Sequence, residues 1–166
     1  AALAFYTTGS FQRTLSYATG ISHCAVSRGV QEVTAALVKH AVKIIIFPLS
    51  GELQQQTKQR FLAKCGFPKV LGQIAHDRQL QAPMQNSHLY INRKGVHSVN
   101  MQVVCDADNI ITHVYANYPS SAHDSFILAN SQLTALFEQG DSLNGWLLGD
   151  YGYPLKHWLM TLIYKA

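Results

Sequence analysis

Hydrophobic positions recur with a helical period over the first third of the chain and with a strand period after it. Val26, Val30, Val33, Leu37 and Val38 fall at helical spacing, which predicts a long helix with Ser22 as its N-cap. Upstream, Ser10 or Gly9 starts a short helix through Thr14 and Tyr17, and Gly20 ends it. A third helix is expected after Ser50-Gly51, packing through Leu53, Phe61 and Leu62 and stopping at Gly66. Gln54, Gln55, Gln56, Lys58, Gln59 and Arg60 form its outer face, a solvated surface or a phosphate contact. Residues 7–66 therefore read as a helical segment. Short helix, glycine turn and longer helix outline either a helix-turn-helix or an ordinary helical hairpin. In the first case His23, Ser27, Arg28 and Gln31 are the early residues that face a major groove.

From Phe67 the period changes. Lys69 to Ala75 reads as a strand. His97 to Cys105 alternates, with Val99, Met101, Val103 and Cys105 on one face and Ser98, Asn100 and Gln102 on the other. Asp106-Ala-Asp-Asn109 turns the chain into a second strand from Ile110 to Ala116. Pro119-Ser-Ser121 starts a helical stretch with Phe126, Ile127, Leu128, Leu133, Leu136 and Phe137, which runs to Gly140. Trp146-Leu-Leu-Gly149 is the next strand. Strand, hairpin, helix, strand is an α/β arrangement of mixed pairing over 67–166. The last of these strands ends in Asp150 and a Gly/Pro turn. Open α/β sheets place active sites at such carboxyl ends, so Asp150 is a candidate metal ligand, or else the cap of a following helix.

Composition narrows the class. With 48% hydrophobic and 13% charged residues, the chain has the apolar content of a packed globule and not of a disordered segment. A net charge of +4 permits a polyanionic partner without requiring one. Cys24, Cys65 and Cys105 are odd in number and far apart, which indicates neither a disulfide framework nor a zinc site, and points to a reducing compartment. The histidines show no zinc-binding spacing. No apolar run is long enough to span a bilayer, and no membrane role is expected. The start at Ala1 without methionine and the end at Ala166 after an apolar segment suggest a fragment.

Several motifs in order resemble one family. They are Gly20-Ile-Ser-His-Cys-Ala-Val-Ser-Arg28, Tyr90-Ile-Asn-Arg-Lys-Gly-Val-His-Ser-Val-Asn100, Val104-Cys-Asp-Ala-Asp108, Tyr118-Pro-Ser-Ser-Ala-His-Asp-Ser125, Leu148-Gly-Asp-Tyr-Gly-Tyr-Pro154 and Trp158-Leu-Met-Thr161. Together they resemble the PIF/Harbinger transposases and the nucleases derived from them. The resemblance implies a ribonuclease-H-like mixed sheet with flanking helices, preceded by a small helix-turn-helix-like segment. It also implies a metal-dependent DNA endonuclease using Mg²⁺ or Mn²⁺, a nuclear location, and a separate Myb-like protein partner. Its His-Asp-Ser and Gly-Asp-x-Gly-Tyr-Pro motifs make Asp124 and Asp150 the catalytic metal ligands. Two hard cations held by carboxylate oxygens stabilise the attacking and leaving oxygens of an in-line displacement at phosphorus.

The departures from the family pattern bear on activity. Ala75 stands where the first-strand Asp belongs, in a motif one residue short. Asp77, displaced by roughly 6.6 Å along the strand, is a poor replacement ligand. Leu162 stands where the family continues Thr-Pro, and the chain reaches Ala166 before the helix that carries the family's catalytic Glu. Arg93 and Lys94, with Arg28, are the candidate DNA-binding cations. A weak or inactive endonuclease is the expectation. A DNA-binding or protein-binding module that has kept the fold without the chemistry is the alternative. A serine or cysteine hydrolase is disfavoured by the absence of a Gly-x-Ser-x-Gly elbow.

Overall fold

The computed structural model describes residues 1–75, 78–79, 87–91, 95, 97–119, 122–139 and 143–161. The chain forms two compact units, Ala1–Ile44 and Ile45–Ala166.

The first unit is three helices: α1 (Ala2–Thr8), α2 (Gln12–Thr19) and α3 (His23–Ile44). Leu15, Val26 and Val30 are its buried residues, with Ala2, Ala4 and Phe5 packed against them. Gly20 ends α2 in the left-handed conformation, and the Ser22 hydroxyl accepts from the Ala25 amide at 3.3 Å, as the expected stop and cap require. Only the first half of α3 is anchored in this way. Leu37 and Val38, expected to pack, are 54% and 66% exposed. His23, Arg28 and Gln31 are exposed and Ser27 is half-buried, so the early turns of α3 present the polar surface expected of them.

The third expected helix, α4 (Gly51–Cys65), lies within the second compact unit. Its Phe61 is buried against Val70 and Ala107, while Leu53 and Leu62 are exposed. Gln54, expected on the outer face, is buried: its Nε2 donates to the Leu49 carbonyl and its Oε1 accepts from the Asn144 amide. Arg60 and Lys64 lie against Asp106 and Asp108 of the β-turn. The pairs to the exposed Asp108 are screened by solvent and contribute little.

The sheet of this unit is mixed. Its strands are β1 (Val70–Ala75), β2 (Arg78–Gln79), β3 (Ser98–Cys105), β4 (Ile111–Pro119), β5 (Trp146–Gly149) and β6 (Leu159–Thr161). Across the sheet the order is β4, β3, β1, β5, β6, and β2 pairs with the first residues of β3. β3 is antiparallel to β1 and β4, whereas β1, β5 and β6 run parallel. A helix-containing crossover from β4 to β5 is what makes the parallel half possible. It consists of α5 (Asp124–Ala129) and α6 (Gln132–Gln139), two helices where one stretch was expected. The break falls at Asn130-Ser131, where the Ser131 hydroxyl bonds back to the Leu128 carbonyl.

Strand alternation divides the core between the two faces of the sheet. Leu147 joins Leu71, Val104, Leu128, Leu133 and Phe137 on the α5–α6 face, while Trp146 and Leu148 pack with Phe61 of α4 on the other. This is a mixed sheet between helices of the ribonuclease-H-like kind, as the motif order implies. No helix among the described residues is long and apolar enough to cross a membrane.

His113 on β4 stands edge-on to Phe47, with ring centroids 6.3 Å apart, and its Nδ1 is enclosed without a partner among the described residues. Burial lowers its pKa below the usual histidine value. Its contribution to stability is therefore complete above about pH 6.5 and is lost as pH falls through that value toward the lowered one. Between about pH 8 and pH 5, the melting temperature of His113→Gln is expected to fall less than that of the wild type. Equal slopes would count against it.

Candidate metal centre

The parallel strands bring their carboxyl ends to one edge of the sheet. Asp150 directly follows β5 there, and a turn immediately succeeds it: its Oδ1 accepts the Gly152 amide at 2.9 Å, turning the chain toward β6. The helix-cap alternative for Asp150 is thereby replaced by a turn. Asp124 is the first residue of α5, after His123 in extended conformation. The two carboxylates arrive from different elements and converge on one glycine. A Cβ built on Gly152 would lie 3.1 Å from Asp150 Oδ1 and 3.2 Å from Asp124 Oδ2, so these oxygens are no farther apart than those two distances end to end.

Asn100 supports this arrangement from β3. Its Nδ2 donates to Asp124 Oδ1 at 2.6 Å and to the Ala122 carbonyl at 3.1 Å, which holds one carboxylate oxygen toward the sheet and turns the other toward Gly152. Asn100 is 6% exposed and Gln102, on the same strand face, is fully buried. Asn100 Oδ1 and both polar atoms of the Gln102 amide have no full hydrogen bond among the described residues. A buried polar atom short of a full hydrogen bond costs free energy, and folds retain that cost mainly at functional sites. Tyr153 completes the surroundings. Burial pushes its phenol pKa well up and Asp124 adds to this; the facing Gln102 amide works against it, short of full hydrogen-bond geometry, and Asp150 adds a smaller upward push. The phenol therefore stays protonated and neutral beside the two carboxylates.

Asp124 and Asp150, predicted from separate motifs, are thus brought together. Continuing the pairing of Gln73 with Leu148 by two residues brings Ala75 level with Asp150, so a methyl group ends β1 next to the pair. Asp77, Arg93 and Lys94 lie outside the described residues. Arg28 is exposed on α3 in the other unit. Glu138 is bonded to Lys156 Nζ at 2.5 Å. No third His, Cys, Asp or Glu joins the two carboxylates among the described residues. Asn100, Gln102 and Tyr153 were not singled out as site residues from the sequence. The available signal was the polar face of β3, since a polar stripe on a central strand has to be buried against something polar.

Residues 76–166 match the family described as DDE superfamily endonuclease. The chain belongs to that family. It is 42% identical over 163 residues to the Mus musculus protein named "Putative nuclease HARBI1" and 41% identical over 162 residues to its Homo sapiens counterpart. Each alignment covers 97% of this chain and 46% of the relative. The Arabidopsis thaliana "Protein ALP1-like" is 25% identical over 158 residues, covering 86% of this chain and 38% of that protein. The chain thus spans less than half the length of these relatives. No solved structure matches it.

DDE superfamily endonucleases use divalent metals, and the two carboxylates fit part of such a site. Hard cations take carboxylate oxygens and keep several waters, so two ligands from the protein can hold one ion, though weakly. The bare Cα of Gly152 leaves the oxygens room to do so. A methyl there would press on both at once, and Gly152→Ala is expected to weaken Mn²⁺ binding about tenfold with little change in melting temperature. Titration of Mn²⁺ by electron paramagnetic resonance reads this directly, and unchanged affinity would show that the ion does not sit between the carboxylates.

Proposed function

We propose that the chain is part of a transposase-derived, metal-dependent DNA endonuclease whose hydrolytic activity in this form is weak. The observation that carries the reading is the convergence of Asp124 Oδ2 and Asp150 Oδ1 on Gly152. Asp124 and Asp150 would hold a divalent cation, Mg²⁺ or Mn²⁺, which when bound would supply positive charge to a phosphodiester oxygen. Asn100 keeps the Asp124 carboxylate aimed outward, the Gly152 amide fixes Asp150, and the neutral Tyr153 adds no further negative charge against an anionic substrate. Ala75 leaves the first-strand ligand missing, which is the reason to expect slow turnover. The test is nicking of supercoiled plasmid with Mn²⁺ and with chelator. Slow, chelator-sensitive nicking is expected, and its absence at saturating Mn²⁺ would remove the endonuclease reading.

A second reading, a DNA-binding or protein-binding module that has lost the chemistry, rests on the separate helical unit. There α3 exposes His23, Arg28 and Gln31, and Glu32 is the sole acid among residues 1–44. Duplex binding that weakens with rising salt, falls in Arg28→Ala and ignores chelator supports it. Salt-insensitive binding counts against it. Nuclear residence and a Myb-like partner belong to the proposal through the family resemblance, and nuclear import of the tagged chain with and without such a partner checks both.

A further inference from the structure

An aromatic row leads away from the carboxylates along β4 and α5. Tyr118 stands opposite Asn100 in the β3–β4 register, and it is the Asn100 amide that holds Asp124. Phe126 follows Asp124 by two residues and meets Tyr118 edge-on with centroids 5.5 Å apart. Tyr118 in turn meets Tyr115 edge-on at 6.0 Å. The far end is tethered, since the Tyr115 hydroxyl donates to the Asn130 carbonyl at 3.2 Å. The near end is open: Phe126 is 53% exposed.

We propose that Phe126, backed by Tyr118, is a stacking platform for an unpaired nucleobase of the strand whose phosphodiester meets Asp124 and Asp150. The proposal rests on the endonuclease reading and goes beyond it by assigning a contact to the base. The occupant follows from position and chemistry. The row is continuous with the phosphodiester site through Asn100, so a base tethered near that phosphate is the group held within reach. An uncharged ring offers nothing to the phosphate itself but stacks on any base, and a base within an intact duplex has its faces covered already. The contact should therefore favour single strands and tolerate any sequence.

The test uses the full chain in chelator, so that cleavage and metal binding do not enter. A short single strand carrying 2-aminopurine reports stacking by loss of fluorescence. The wild type is expected to quench it, Phe126→Ala to lose the quenching and about tenfold in single-strand affinity, and Phe126→Trp to retain both. Because Phe126 is largely exposed, the alanine variant should melt like the wild type, and the tryptophan variant controls for folding. Equal quenching by wild type and Phe126→Ala overturns the proposal. A change in self-association without a change in single-strand affinity also overturns it, and makes the row an interface between copies. Plasmid nicking with Mn²⁺ judges the endonuclease reading separately, so the two failures are distinguishable.

Discussion

Asp150→Ala is expected to reduce Mn²⁺-dependent nicking to the chelator background and to lower Mn²⁺ affinity about a hundredfold or more. Losing a residue that merely orients a ligand costs about 10–100-fold in affinity, and Asp150 is itself one of the two proposed ligands, with no third beside them among the described residues. The substitution leaves Asp124 held by Asn100 but facing an empty position across Gly152. A single carboxylate with water has no advantage over carboxylates elsewhere on the surface. The fold should not suffer, because the Asp150 side chain closes a turn and fills no part of the core, and turn bonds of this kind contribute about 1 kcal/mol. Isothermal titration with Mn²⁺, the nicking assay and a thermal melt in chelator separate the three effects. If Asp150→Ala nicks as the wild type does, the carboxylate pair is not the source of the activity.

Much of this site was legible because its chemistry is local. Asp124 and Asp150 each sit in a short motif, one at a helix start and one after a strand, and the run Trp146 to Gly149 ending in Asp150 reads as a strand end in an α/β sheet. The supporting residues were harder to read because their roles come from pairing across the sheet. Asn100 is 24 residues from Asp124, and no periodicity reports which polar side chain of β3 will meet which helix. Gln54 misled for the same reason. A glutamine among glutamines on a helix reads as solvated, yet this one is tied to Asn144, 90 residues away. Leu37 and Val38 misled in the opposite sense, since helical spacing marks an apolar stripe without saying what covers it. The break at Asn130-Ser131 was hidden because two short helices with apolar residues in near phase imitate one long one.

Leu147→Ala is expected to show the opposite pattern to Asp150→Ala, although the residues are three apart. Leu147 is fully buried at the centre of the parallel half, with Gly72 of β1 and Leu159 of β6 as its register partners and Leu71, Val104 and Leu133 in the same cluster. Its surroundings cannot close over a smaller side chain. Gly72 is already packed so tightly that an added Cβ would lie 2.4 Å from Val104 Cγ1, and the backbone on both sides is fixed by strand pairing. The cavity therefore persists, and the cost falls in the upper part of the range for buried leucine, about 3–5 kcal/mol. Against the roughly 5–15 kcal/mol available to a domain, this should lower the melting temperature by about 10 °C or more. Below that transition the variant should bind Mn²⁺ as the wild type does, because the two proposed ligands stand on the turn after β5 and at the start of α5 and not on the leucine. If Leu147→Ala loses Mn²⁺ affinity while still folded, the carboxylates are positioned by core packing as well as by Asn100 and Gly152. An unchanged melting temperature would mean that β5 is not the buried centre of the sheet.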